Sequence, residues 1–454
     1  MESRNRLPIG LMLRYGSGQI GGQMFRDAPA ALLPLFLTTV LGVPAWMGGI
    51  AILLPKLWVI LCDPLVGAWS DRLKARHGRT PFLFVGGLGT GLGFMALFFF
   101  SGFASPIVGA AVVGLLFLIG STAFSAFSVP YLAVASELST DTNERTRLIA
   151  WRVIASTVGV LLAVGVAQPM VFALGGGGHG WRVMGLTLGA IALVTMLTTA
   201  VSLRNVSLLA DGEPAARSLF GSIAQAFRYR PFGLLVLTFL LQSVAQASGY
   251  SVVGFVFLYG IGSVTIILPF ILVMTAGSLI SQPLWVACSL RLGKATTLVI
   301  TVVGWILITI TWFALRPDHH IAVTLPLFGP LTLQELLVLV RAFPLAIFNA
   351  GFILITLSML TDTIAAARRA HGSAEEGVFS GIFSSTEKFS FAVGPLLAGI
   401  VMSLCGFRSS THGPVAQSST AVTGVLLLYS LIPAAIATLS LGAFALYWQA
   451  QRRA

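Results

Sequence analysis

The chain has 454 residues, of which 56% are hydrophobic and only 9% charged. Soluble domains carry about a quarter charged residues, so this composition cannot cover a water-facing surface and argues against a soluble enzyme, a nucleic-acid binder or a disordered chain. The formal net charge of +12 has to be read from its placement along the chain.

A helix that crosses a bilayer needs roughly 20 mainly apolar residues and must satisfy its backbone groups internally. Twelve such stretches follow one another, at about 11–39, 44–69, 82–102, 108–133, 148–174, 182–203, 232–256, 264–289, 295–315, 333–359, 379–405 and 421–447. The first apolar run outlasts a signal-peptide core and lacks a processing site, so no cleavable leader is expected. The loops between spans alternate in charge. Asp71, Arg72, Lys74, Arg76 and Arg79 follow span 2, whereas 102–106 after span 3 carries none. Glu137, Asp141, Glu144, Arg145 and Arg147 follow span 4, and Arg204, Arg217, Arg228 and Arg230 follow span 6. Of the 27 Lys and Arg, only Arg182, Arg316 and Arg408 fall on the opposite side. This is the positive-inside pattern, with both termini cytoplasmic. It accounts for the basic balance without a nucleic-acid partner.

The longest polar linker, 204–231, separates an N-terminal bundle (1–203) from a C-terminal one (232–454). The expected class is an all-α membrane protein of twelve transmembrane helices in two six-helix bundles. In such folds the substrate site lies between the bundles near the bilayer midplane. The segment 317–335 is read as either an interfacial helix or a lid. Cys62, Cys288 and Cys405 sit in apolar runs and the six His in loops, so neither a disulfide framework nor a metal site is indicated. Without a G-x-x-x-x-G-K-[ST] loop, ATP is not the direct energy source. No cofactor is expected beyond a coupling ion, H+ or Na+. The expected partners are a small-molecule substrate and membrane lipid, and the expected state is a monomer.

Charges inside spans are expensive and mark function by default. Arg26 and Asp27 are adjacent in span 1. Neighbours on a helix point about 100° apart, so this pair need not bond, and Asp27 is free to meet Lys56 or Arg341 instead. Lys56 and Asp63 are seven apart and share one face of span 2, roughly 10 Å apart along the axis. Asp63 reads as a protonatable coupling carboxylate, and Arg26 or Lys56 as a binder of anionic or polyhydroxyl cargo; the plainer alternative is a structural charge network. Arg341, near the start of span 10, is either a site residue or an outer gate partner of Asp27 or Glu335. Trp58, Trp151 and Trp305 are candidates for lining the site.

The string Lys56-Leu57-Trp58, Asp63-Pro64, Gly67, Asp71, Gly78-Arg79 and Pro81 resembles the glycoside–pentoside–hexuronide:cation symporters, the melibiose-permease-like family of the major facilitator superfamily. Further blocks agree: Tyr15-Gly16; Val129-Pro130-Tyr131, Glu137, Asn143-Glu144-Arg145 and Arg152; and Met359, Asp362, Glu375, Phe383 and Lys388. The resemblance implies the major facilitator fold, with cation symport of a sugar or glycoside-like substrate by alternating access. An amphipathic lipid or organic anion is the alternative cargo. It places substrate and cation groups at Gln23, Asp63, Ser128, Arg152 and Lys388. It also places a cytoplasmic gate among Asp71, Arg79, Arg145 and Asp362, closed through an Arg145–Asp362 bridge. The chain departs from the family pattern where relatives carry acids: Gln23, Val59 and Ser128 stand at three of four such positions. Those substitutions favour a proton over sodium. Arg152 either lies near the sugar or snorkels to the interface, and Glu387-Lys388 either faces the site or caps its span.

Overall fold

The structure is a computed structural model that describes residues 7–138, 142–204, 219–317, 320–325, 329–371 and 376–453. Its helices, in chain order, are α1 (Ile9–Thr39), α2 (Ala45–His77), α3 (Thr80–Phe99), α4 (Pro106–Glu137), α5 (Thr142–Val160), α6 (Ala167–Ala173), α7 (Gly178–Ser202), α8 (Leu219–Arg228), α9 (Arg230–Phe255), α10 (Ile267–Ile280), α11 (Gln282–Leu292), α12 (Lys294–Thr311), α13 (Leu333–His371), α14 (Glu376–Leu404), α15 (Ser419–Tyr429) and α16 (Leu431–Arg453). Among the described residues, 11 helical stretches are long and apolar enough to cross a membrane. The 31-residue α1 is long enough as well; Gln19, Gln23, Arg26 and Asp27 hold down its hydropathy. Together they make the twelve spans.

Two expected spans are broken by proline. α10 stops at Ser281 with Pro283 following, and α15 stops at Ser430 with Pro433 following. A proline ring collides with the carbonyl four residues back and donates no bond to it, here at Leu279 and Tyr429. Two π-helical turns, Leu161–Val166 after α5 and Val256–Ile261 after α9, widen the chain without interrupting it.

The chain forms two compact units: Met1–Glu213 with Arg408–Ala416, and Pro214–Phe407 with Gln417–Ala454. Most of the 204–231 linker lies outside the described residues, and its described part includes the helix α8. In the first unit, α1 packs against α5 and α7, α2 against α4, and α3 against α4 and α7. The core there joins Met12 and Tyr15 to Leu83, Phe127, Tyr131, Leu148, Met196 and Ala200. Outward-facing Leu54, Leu61, Leu65 and Trp69 on α2 are exposed, as a lipid-facing surface requires. Residues 408–416 lie on this unit: Ser410 N donates to Thr38 O at 2.8 Å, Gly413 N to Thr39 O at 3.0 Å and Ser409 Oγ to Val43 O at 2.8 Å. In the second unit, α9 packs against α14 and α16, and α13 against α10 and α12.

The described part of the segment 317–335 is not an interfacial helix. It contains a hairpin of β1 (Ile321–Leu325) antiparallel to β2 (Gly329–Thr332). The β-branched run Ile321, Val323, Thr324 suits a strand, and Gly329 takes φ +75° where the return begins. The hairpin delivers the chain into a capping box: Thr332 N donates to Glu335 Oε2 at 2.9 Å and Glu335 N to Thr332 Oγ1 at 3.2 Å. Glu335 is therefore occupied by the start of α13 and is not bonded to Arg341. Glu335→Gln keeps the cap and is expected to leave uptake unchanged, whereas Thr332→Ala should cost about 1 kcal/mol of stability. Thermal unfolding beside uptake assays checks both, and a transport defect in Glu335→Gln would restore the gate assignment.

Candidate functional site

The N-terminal unit carries a polar ladder along α1. Tyr15, Gln19, Gln23 and Asp27 are spaced four apart and so lie on one side of the helix, drifting about 40° per step. Gln19 Nε2 donates to Gln23 Oε1 at 3.2 Å, and Gln23 Nε2 donates to Asp27 Oδ2 at 2.6 Å. Two side chains of α5 join this ladder. Arg152 Nε donates to Gln19 Oε1 at 3.0 Å, and Ser156 Oγ to Gln23 Oε1 at 2.9 Å. The contact is close because Gly159 follows one turn later; a Cβ there would stand 2.6 Å from Gln23 Cβ and 2.8 Å from Ile20 O.

The lower end of the ladder is fixed by a reciprocal pair. Tyr15 OH donates to Tyr131 O and Tyr131 OH to Tyr15 O, both at 3.0 Å, with the rings stacked at 4.6 Å. The Arg152 guanidinium sits 5.7 Å from the Tyr131 ring centroid, a cation–π placement. Arg152 is thus held among α1, α4 and α5 and does not snorkel. At its other end the ladder closes on a charge pair. Arg26 Nε meets Asp27 Oδ1 at 3.2 Å, with the Asp27 side chain only 10% exposed and that of Arg26 55% exposed. The sequence-based expectation that these neighbours need not bond is corrected: Arg26 Nε folds back along the helix surface, and Asp27 spends its second oxygen on Gln23.

The other predicted residues divide between helices. Lys56 of α2 lies 5.8 Å from the Phe117 ring of α4. Asp63 is half-buried, with Oδ1 shielded from solvent. Trp58 Nε1 donates to Thr122 Oγ1 at 2.9 Å, which ties α2 to α4. Ser128 is partly buried on α4. In the C-terminal unit, Arg341 and Lys388 are partly buried, on α13 and α14. Lys388 lies well inside α14 (Glu376–Leu404), which is too deep for a cap.

Of the predicted gate residues, Arg79 is buried and donates to Ser70 Oγ at 2.8 Å, stapling the start of α3 to α2. Asp362 forms an ion pair with Lys294 of α12. The side chains of Asp71 and Arg145 lie outside the described residues, and with them the expected Arg145–Asp362 bridge.

Residues 14–448 match the model of the family described as MFS/sugar transport protein. The chain belongs to this family. It is accordingly a multi-pass integral membrane transporter and not an enzyme. It is similar to a proposed sulfoquinovose importer of Salmonella typhimurium (strain LT2), 24% identical over 98% of this chain and 92% of that protein. A shorter match, to YagG of Escherichia coli (strain K12), a proposed glycoside/cation symporter, is 31% identical but spans only 36% of this chain and 35% of that one. The crystal structure of the nucleoside transporter NupG superposes with a TM-score of 0.64 at 17% identity, over 96% of this chain and 99% of that one, a likeness of fold.

Sequence reasoning missed Gln19 and Ser156, and the tyrosine pair as a clamp. It also missed buried polar atoms without a hydrogen-bond partner in the C-terminal unit: Gln242 Nε2, Gln246 Nε2 and Asn349 Oδ1. The available signal was spacing. Polar residues recurring every four positions inside an apolar span, as at 15, 19, 23, 27 and again at 242, 246, 250, put one wet stripe on a helix.

Proposed function

We propose that the protein moves a sugar-like solute across the cytoplasmic membrane by proton-coupled symport, with both termini inside. The observation that carries this reading is the hydrogen-bonded chain Arg152–Gln19–Gln23–Asp27. It offers amide, guanidinium and carboxylate groups in a row along a membrane helix. Such a row matches the hydroxyls of a glycoside, and polar groups of this kind persist in a span where they serve a path or a site. The full-length likeness to a proposed sulfoquinovose importer supports a sugar-like cargo, and the charge asymmetry of the loops supports the orientation.

Coupling is assigned to Asp63. A sodium site wants a cage of oxygens with carboxylate help, and Gln23, Val59 and Ser128 supply little of one. A single half-buried carboxylate suffices for a proton. In proteoliposomes, a proton gradient should drive concentrative uptake and a sodium gradient should not. Asp63→Asn should retain exchange while losing concentrative uptake by at least tenfold. Unchanged accumulation in Asp63→Asn would remove that residue from coupling, and accumulation driven by sodium alone would overturn the choice of ion.

A further inference from the structure

Residues 408–416 are the one stretch of the chain beyond Glu213 that belongs to the first unit. The helix before them, α14, closes on Gly406 at φ +74°. Gly406 N donates to Ser403 O at 3.1 Å and Phe407 N to Met402 O at 3.0 Å, the usual satisfaction of a helix end by a left-handed glycine. The Phe407 ring then meets Phe255 edge-on at 5.3 Å and Tyr259 at 5.7 Å. On the far side, Ser418 Oγ accepts from Ala421 N at 3.2 Å and caps α15. Phe407 and Ser418 both belong to the second unit, so the residues between them form a strap rooted there at both ends.

The strap completes the end of α1. The last four carbonyls of a helix have no donor within it. Phe36 O takes Val40 N and Leu41 N, and Leu37 O takes Val43 N. Thr38 O and Thr39 O take Ser410 N at 2.8 Å and Gly413 N at 3.0 Å, both from the strap, and Ser409 Oγ donates to Val43 O at 2.8 Å. Gly42 takes φ +65° in the turn beneath, and a Cβ there would stand 2.9 Å from Thr411 Cγ2. The contact is made of backbone and hydroxyl groups, with Thr411 and His412 exposed. Polar contacts at an exposed edge belong to the part of a structure that opens most readily.

Chain length limits what the strap can follow. Consecutive Cα atoms are about 3.8 Å apart, so Phe407 and Ser409 cannot part by more than roughly 7 Å. Alternating access rocks one bundle against the other. A displacement beyond that reach must break either the aromatic seat of Phe407 or the three bonds to α1 and its turn. The bonds are the side that yields, because water can replace each of them, whereas Phe407 would have to give up its buried ring contacts.

We propose that residues 408–416 are a latch, bound to the end of α1 and the 40–44 turn while this end of the transporter is shut and released when it opens. This inference rests on the transport reading above, in which that end is the outer face.

Locking the strap tests it. In the full-length protein with Cys62, Cys288 and Cys405 replaced by serine, Gly42→Cys and Thr411→Cys are introduced together. The Thr411 β-carbon lies one bond beyond the methyl that a Cβ at 42 would meet, within the roughly 4.5 Å reach of a disulfide. Oxidation should close the bridge. In proteoliposomes it should cut uptake of radiolabelled methyl glucoside, methyl galactoside or sulfoquinovose, whichever the reduced protein carries, at least tenfold, with recovery in dithiothreitol. Thr411→Cys alone, oxidised in the same way, should keep its uptake. Hydrogen exchange on the purified protein reads the latch without a cargo: peptides covering 408–416 should exchange at least tenfold more slowly once the bridge is closed, and Ser409→Ala should speed their exchange several-fold over wild type. Failure of the bridge to form overturns the latch. Uptake unchanged by a closed bridge overturns it too and leaves sugar transport standing. Exchange equally slow in reduced and oxidised protein makes the strap a permanent part of the first unit, which also overturns the latch. Uptake of none of the three sugars by the reduced protein counts against the sugar reading alone, and the exchange comparison then decides the latch.

Discussion

Asp27→Ala is expected to abolish uptake and to lower thermal stability measurably. The stability loss follows from what the carboxylate holds. Gln23 is 2% exposed, and its Nε2 has Asp27 as acceptor at 2.6 Å; without it a buried amide donor is left unsatisfied, at about 1–3 kcal/mol. Arg26 contributes less, because a side chain 55% exposed is re-solvated readily and an exposed ion pair is worth about 1 kcal/mol at most. The loss of uptake follows from position. At position 23, where the family resemblance implies an acid, this chain has an amide, and the nearest carboxylate on α1 lies one turn further along and is hydrogen-bonded to that amide. Asp27→Asn separates the two effects. It keeps an acceptor for Gln23, so the melting temperature should stay close to wild type, while the charge is gone and uptake should still fall by more than tenfold. Uptake within twofold of wild type in both variants would make Asp27 a structural residue.

How much of this was legible in the sequence depends on the kind of interaction. The spans were readable because apolar length is a local property. The proline breaks at Ser281 and Ser430 were not read from the sequence, where both spans stood as continuous, although Pro283 and Pro433 each forbid one specific bond. The hairpin at 321–332 was harder, because a strand of five residues competes poorly with the helical signal around it. The site residues divide in the same way. Asp63 and Lys56 stood out because any charge in a span does. Gln19 and Ser156 did not, because a neutral polar residue in a membrane helix is ordinary until a partner from another helix makes it part of a chain. Arg152 to Gln19 is a contact over 133 residues of sequence, and nothing in either segment alone announces it. The bond between Arg26 and Asp27 was missed for the opposite reason: the angle between neighbouring side chains describes where they leave the helix, and a long arginine can bend back.

Gly159→Val is expected to be strongly damaging to the N-terminal unit, because it acts on backbone and site together. A Cβ at 159 would stand 2.6 Å from Gln23 Cβ and 2.8 Å from the Ile20 carbonyl oxygen, distances at which α1 and α5 cannot both keep their places. Overpacking of this kind costs about 1–3 kcal/mol, and the β-branched valine adds two further methyl groups to be placed. Relief requires the helices to separate. The bonds from Arg152 to Gln19 and from Ser156 to Gln23 cross that same contact, at 3.0 and 2.9 Å, and have little length to give. Gly159→Ala should be intermediate, with the protein folded but uptake reduced several-fold. The C-terminal unit supplies a control, because Gly394 of α14 meets α9 in the same manner, its Cβ 2.6 Å from the Ala247 carbonyl carbon. Gly394→Ala should also lower the melting temperature, yet it disturbs no hydrogen bond of the α1 ladder. If melting temperature alone determined uptake, Gly159→Ala and Gly394→Ala would lose activity in proportion to their destabilisation. A steeper loss in Gly159→Ala at equal melting temperature is the result that assigns the α1–α5 contact to transport, and proportional losses would reduce it to packing.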